Sequence, residues 1–422
     1  MSTTTPSSAA PAASIDQIRA AFPSLDQPLA FMENAGGSQV PAVVADAIRD
    51  YMLSSYVQLG AGYELSQQAD RNVEHAHAFI NRFMNGEGTG HVILGPSCTQ
   101  LMTMLADCYG RVLQPGDEIV VAQNGHEANI GPWTKLERFG LTIRTWPVDP
   151  DAMDCTLDGL EAVLSNRTRI VAIVHVSNLL GAVADLDPIV KRVHDAGARI
   201  VVDGVAYAPH RAIDVRVHDV DWYVYSTYKV YGPHMGALYG RQDAIDELEG
   251  PNHFFIPKDE VPYKFELGGA SHEGCAGLLA LQSYLAMLAA VSHDGGAGDL
   301  LDRAAIERAF DLMTSLELPL QQRILDALAS RNEVRLIGPA SAGPDRVPTI
   351  SFVHDSLSSA EIARRLHQHG IACRNGHMYA YRLCEALGLD LADGVVRLSL
   401  VHYNTMDEVN RLVRSLDDVL SP

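Results

Sequence analysis

DWYVYSTYKVYGP, residues 221–233, reads as a strand that runs into a single lysine. Trp222, Val224 and Ser226 alternate with Tyr223, Tyr225 and Thr227, an aromatic and β-branched composition that suits a buried strand. Lys229 falls just past its end, ahead of the turn signal Gly232-Pro233. Apolar and aromatic neighbours disfavour an ammonium there and lower its pKa. A neutral lysine amine is what Schiff-base chemistry with a carbonyl compound requires. Taken alone, the same lysine also reads as one that snorkels to solvent at a strand end. The surrounding chain decides between the two.

Upstream, strands and helices alternate. Glu118 to Ala122 is an apolar strand ending in Asn124-Gly125-His126, Arg169 to Val176 is another ending in Ser177-Asn178, and Ala198 to Val202 is a third ending in Asp203. A helix between them is expected to enter at Asp187-Pro188 and to leave at Gly197. Such alternation predicts an α/β fold, a parallel sheet with helices on both faces, whose ligands collect outside the carboxyl ends of the strands. His126, Asn178, Asp203 and Lys229 all occupy that topological position. Earlier still, the strand His91 to Leu94 leads through Gly95-Pro96-Ser97-Cys98-Thr99 into a helix whose inner face is Leu101, Leu105, Cys108 and Val112. Hydroxyls and free N–H groups at a helix start suit an anion such as a phosphate, or simply cap the helix. Phe31 to Pro41, FMENAGGSQVP, is a short strand and a glycine turn, where Gly36-Gly37 either admits a ligand to the backbone or only makes the turn.

Length and composition bound the reading. The chain has 422 residues, enough for a large core and two domains, and its formal charge of −20 argues against nucleic acid or an anionic membrane as partner. No apolar run reaches membrane-spanning length. The six cysteines are scattered without a Cys-x-x-Cys pair, so neither a metal site nor a disulfide framework is expected, and a reducing, cytoplasmic setting is. Residues 1–14, rich in Ser, Thr, Pro and Ala, read as a disordered tail.

A lysine for a Schiff base, a carboxylate to keep a pyridinium protonated, a hydroxyl-rich helix start for a phosphate and an imidazole to lie on a ring together make the parts of a pyridoxal phosphate site. Asp203 would pair with the ring nitrogen, His126 would stack on the ring, and Asn178 would donate to its hydroxyl. Ser97, Cys98, Thr99, Ser226 and Tyr228 would reach the phosphate.

The chain resembles the class V, fold type I, pyridoxal phosphate enzymes, in the branch of cysteine desulfurases and selenocysteine lyases. GDEIVVAQNGHEANIGPW (116–133), HVSNLLG (175–181), VVDG (201–204) and STYKVYGP (226–233) carry the resemblance. It implies a large domain over 15–295 with a mostly parallel, seven-stranded-type sheet between helices, whose segment 15–30 packs on a smaller α+β domain over 296–422. It also implies a homodimer with the site at the interface, where the loop ending in FELGGASHEG, with Gly269, reaches the partner's phosphate. Arg397 matches the arginine that clamps the substrate's α-carboxylate, with Asn34 and Tyr379 beside it.

Departures from that pattern shape the functional expectation. Tyr379 occupies the position of the loop cysteine on which desulfurases carry sulfur, Ala206 replaces a glutamine, and Gly269 replaces a threonine. Cys373 and Cys384 are placed differently from the family cysteine. The expectation is therefore an enzyme acting on a small amino acid, a carbon–sulfur lyase working by β-elimination, with Lys229, His126 and Asp203 in catalytic roles. The alternatives are a true desulfurase or selenocysteine lyase, an aminotransferase or epimerase, and, outside enzymes, a cofactor-binding interaction protein.

Overall fold

The computed structural model describes residues 13–293 and 299–420. A seven-stranded sheet forms its centre, from β1 (Gly90–Gly95), β2 (Glu118–Ala122), β3 (Thr142–Trp146), β4 (Thr168–Val174), β5 (Arg199–Asp203), β6 (Trp222–Ser226) and β7 (Gly236–Arg241). The strand order is β1-β7-β6-β5-β4-β2-β3, and only β7 runs antiparallel to its neighbours. The expected mostly parallel α/β sheet is thus present.

Period-2 alternation explains why these strands are apolar throughout. Val120, Ala122, Ile200, Val202, Tyr223 and Tyr225 enter one buried cluster, while Ile119, Val121, Val201, Trp222 and Val224 enter another on the opposite face. A strand buried on both faces has no polar side, which gives a continuous hydrophobic run. Each fully buried aliphatic or aromatic side chain contributes about 1.5–3 kcal/mol. At the amino end of β6, buried Asp221 accepts from Ile200 N–H at 2.8 Å and pairs with Arg199 and Arg241 at 2.8 and 2.6 Å. These bonds fix β5 and β6 against each other far from their carboxyl ends.

Helices cover both faces: α1 (Ala42–Ser54), α2 (Glu64–Phe83), α3 (Cys98–Val112), α4 (Leu186–Asp195) and α5 (His272–Leu288). Two details differ from the sequence expectation. The helix α4 begins two residues early, with extended Asp185 at its N-cap, because Pro188 is accommodated in the first turn, where N–H groups lack helical partners anyway. Val112 is exposed at 37 %, since it is the last residue of α3, past its last buried side chain, Tyr109.

The carboxyl-terminal part is a four-stranded antiparallel sheet of β8 (Val334–Ile337), β9 (Thr349–His354), β10 (Arg374–Gly376) and β11 (Val395–Ser399), in the order β8-β9-β11-β10. Residues 371–374 are divided between two sheets: Ile371–Ala372 pairs in parallel with Ala30–Phe31, and Arg374 begins β10. The break falls at Cys373, whose carbonyl bonds to His367 Nε2 at 2.9 Å. A long helix, α6 (Arg303–Ala329), spans both parts. Its residues Ala305 to Met313 join the large cluster, Leu320 to Leu328 join the carboxyl-terminal one, and Pro319 sits between. Two further helices, α7 (Ser359–Gln368) and α8 (Met406–Val419), complete this layer, and α8 opens on the Thr405/Glu408 capping box.

The expected tail lies outside the described residues apart from positions 13 and 14, and Ser14 caps a short helix, Ile15–Ala20. Ile18, Phe22 and Leu25 of that segment enter the large cluster. The expected division between residues 295 and 296 also falls outside the described residues.

Candidate active site

Strand order places the predicted residues next to one another. The strands β6, β5, β4 and β2 are consecutive in the sheet, so Lys229, Asp203, Asn178 and His126 follow four adjacent carboxyl ends. All four line one cavity, together with Cys98, Thr99, Ser226 and Tyr228. A second cavity adjoins it, sharing His126, Asn178, Tyr228 and Lys229 and adding Ala35, Gly36, Arg374, Met378, Tyr379 and Arg397.

Lys229 ends a short 3-10 turn, Thr227–Lys229, that Thr227 secures through hydrogen bonds to Pro233 and Met235 carbonyls at 2.5 and 3.2 Å. Burial, with the Arg397 charge, lowers the lysine's pKa to about 8 against the pull of Asp203. At pH 7 roughly a tenth of it is neutral, against well under about a hundredth for an ordinary lysine. Burial pushes the Asp203 carboxyl up, opposed by the Val205 N–H, 2.9 Å from Oδ1, and by Lys229. Such a carboxylate is completed by a cation in the cavity. Behind it, Tyr223 lies over Gly204, where a Cβ would come within 2.2 Å of the phenol oxygen. Tyr223 in turn bonds to His175 Nδ1 at 2.8 Å, and His175 stacks on Tyr207 at 3.7 Å.

His126 is held by the Ala128 N–H, which donates to its Nδ1 at 3.0 Å and so leaves the proton on Nε2. Burial, with the Lys229 and Arg397 charges, lowers its pKa to about 4, so the ring is neutral. Asn178 donates to the Met378 carbonyl at 2.8 Å, while its buried Oδ1 has no partner. Ser97 caps α3 by accepting from Gln100 N–H at 3.2 Å, and Cys98 and Thr99 present the helix start to the cavity. Ser226 donates to Cys98 Sγ at 3.1 Å. Tyr228 stacks on His234 with ring centroids 4.4 Å apart.

The second cavity carries the other charges. Arg397, on β11, is buried; it donates to the Asn178 carbonyl at 3.0 Å, and its Nε has no partner. Burial lowers its pKa to about 10, which leaves it cationic. Tyr379 is 59 % exposed, with its ring centroid 5.2 Å from that of His126. Met378 and Tyr379 both adopt left-handed backbone, at φ 51° and 61°. Their conformation is held by bonds from Asn178 to Met378 O and from Glu127 N–H to Tyr379 O at 2.9 Å, and by the Arg382–Glu127 ion pair at 3.1 Å.

Three predicted residues stand apart: Ser97, which lines neither cavity and is used as the N-cap of α3, Asn34 and Gly269. Asn34 is enclosed: its amide donates to Phe31 O, Ser399 O and Asn404 Oδ1, and its Oδ1 accepts from Tyr403 at 2.5 Å. Its neighbours Ala35 and Gly36 supply the cavity wall instead. Gly269 lines a separate, outer cavity with Tyr56, Pro96, His234 and Gly268. Arg374, Glu33 and Met378 were missed by sequence reasoning. The signal for Arg374 was available only as its pairing with Arg397, which requires the β10–β11 register.

The donor set fits pyridoxal phosphate: an amine of lowered basicity, a buried carboxylate, an unpartnered amide oxygen and an open helix start share one cavity. Comparisons with known proteins agree. The family model described as aminotransferase class-V matches residues 30–294 and 296–412. The chain is 37 % identical to the aminotransferase-like protein FGM3 of Gibberella zeae, over 96 % of this chain and 98 % of that protein. It is 32 % identical to a cysteine desulfurase of Dickeya dadantii, over 95 % and 96 %. The crystal structure of the cysteine desulfurase CsdA of Escherichia coli superposes with a TM-score of 0.81 at 27 % identity, covering 96 % of this chain and 98 % of that one. The chain therefore belongs to the class-V aminotransferase family of pyridoxal-phosphate-dependent enzymes.

Proposed function

We propose that this enzyme cleaves the carbon–sulfur bond of a small amino acid by β-elimination. One observation carries the reading: the cavity shared by Lys229 and Arg397 is walled by Tyr379 and includes no cysteine among its lining residues. Cys373 and Cys384 are buried, and burial raises their thiols to about 12 and about 11, so neither is a thiolate ready to accept sulfur.

Lys229 would bond the cofactor, Asp203 would pair with its ring nitrogen, and neutral His126 would cover its ring face. Asn178, Cys98, Thr99, Ser226 and Tyr228 would take its polar substituents. When bound, the cofactor supplies an aldehyde that takes up the substrate's amine and a ring that accepts the electrons released at Cα. Arg397 holds the α-carboxylate through its free donors. Lys229, as a free amine in the same cavity, would take the Cα proton. Tyr379 and Met378 form part of the cavity wall on the side of Arg397. The net reaction breaks Cβ–S: an S-substituted cysteine and water give a thiol, pyruvate and ammonium.

The free state of all six cysteines supports a reducing, cytoplasmic setting. Tyr56, 65 % exposed in the wall of the outer cavity beside Gly269, and Leu53 and Leu267, exposed at 79 and 64 % and close in sequence to that wall, support a homodimer that covers them. The two core clusters joined through α6 support a division into a large and a small domain.

The test is product analysis with cysteine, an S-alkyl cysteine and alanine. Pyruvate with ammonia is expected. Alanine with sulfide under reductant would make the enzyme a desulfurase, and a keto acid with the cofactor left as its amine would make it an aminotransferase.

A further inference from the structure

Arg374 and Arg397 are directly opposed across the antiparallel pair β10–β11, so their side chains leave the same face of the sheet. Both line the second cavity. Like charges directly opposite are destabilising unless something negative lies between them. Glu33 only partly meets that need. It touches Arg374 through one contact, Nη1 to Oε1 at 3.3 Å, looser than the roughly 2.8 Å of a tight charged bond. The two side chains are 52 and 38 % exposed, so solvent and ligands reach both. The α-carboxylate accounts for Arg397, and Arg374 keeps unused donors on the cavity wall beside Tyr379.

From this arrangement we propose that the substrate's side chain ends in an anionic group, bound by Arg374 in exchange for Glu33. The inference rests on the assignment of the α-carboxylate to Arg397, and it names the substrate class of the same site. It also gives the two opposed arginines a counter-charge beyond Glu33. Glu33 then screens Arg374 in the empty site and gives way to the ligand.

The test uses the protein loaded with pyridoxal phosphate and two isosteric pairs that differ by one charge. The first pair is S-carboxymethylcysteine and S-carbamoylmethylcysteine, compared by kcat/KM for pyruvate release. The second is aspartate and asparagine, compared by calorimetric Kd. The charged member is expected to be favoured about tenfold in both, the effect of one charged hydrogen-bonded contact. Arg374→Gln should bring both ratios to about one. Glu33→Gln, which removes the competing carboxylate, should enlarge them and serves if the arginine variant fails to fold. Equal handling of both members by the wild type would overturn the proposal. So would a ratio that survives Arg374→Gln while both members weaken together, which would make Arg374 a second half of the α-carboxylate clamp. If neither cysteine derivative is cleaved but aspartate still outbinds asparagine through Arg374, the anion site stands and the elimination reading falls. Binding of both amino acids unchanged by Arg397→Gln would remove the carboxylate assignment instead.

Discussion

The four strand ends beneath the cavity and the segment 374–381 above it are held in opposite ways. Below, each residue inherits its place from a ladder: His175 N–H donates to Asp203 O at 2.8 Å and Gly204 N–H to Val224 O at 2.8 Å, continuing the pairing of β4, β5 and β6 past their ends. Above, the segment is tied to the large domain by a few long-range bonds, chiefly Asn178 to Met378 and Glu127 to Tyr379 and Arg382. Backbone at positive φ for two successive side chains persists only under such external restraint. The floor is therefore a property of the sheet, whereas the roof is a separate fitting that changes without disturbing what lies below. Under the proposed function, the first would carry the cofactor chemistry and the second the choice of reaction and substrate.

The strongest challenge to this contrast is Lys229→Ala. Turnover should fall by at least about a thousandfold, the combined loss of a covalent anchor and a base, and the visible absorption of the protein with pyridoxal phosphate should vanish. Asp203→Asn comes next, with a loss of about a hundredfold and the visible band retained, because the amide keeps the shape and loses the charge. Lysine basicity supplies a third measurement. With the pKa lowered to about 8, uptake of pyridoxal phosphate by the cofactor-free chain should slow about tenfold per pH unit below that value and level off above it. An uptake profile centred near 10 would mean that the lysine is solvated. The roof should respond least. Tyr379→Phe should change kcat by less than about tenfold and leave the visible band alone, and Cys373→Ala should leave pyruvate release intact. Alanine and persulfide formation abolished by Cys373→Ala would break the contrast outright.

How far each half is legible in the sequence follows from the same physics. Lys229, Asp203, Asn178 and His126 were found because a short apolar run followed by a polar residue marks a strand end, and parallel sheets gather such ends. Adjacency of the four is set by sheet order, which the alternation alone does not encode. Tyr379 was located only by resemblance, since neither it nor Met378 belongs to a residue type that signals left-handed backbone. Arg374 was invisible because its meaning lies in a register with a residue 23 positions later. Asn34 misled for the converse reason: a polar residue in a glycine-rich turn reads as exposed, yet Phe31 nearby and Ser399, Tyr403 and Asn404 from the far end of the chain take up its hydrogen bonds.

The helix α6 joins the two cores as a single rod, and Pro319 interrupts its hydrogen bonding at the point where one core gives way to the other. A rod lacking one internal bond stays stiff along its length and soft in bending. A change in the angle between the two cores would therefore be taken up by bending at Pro319.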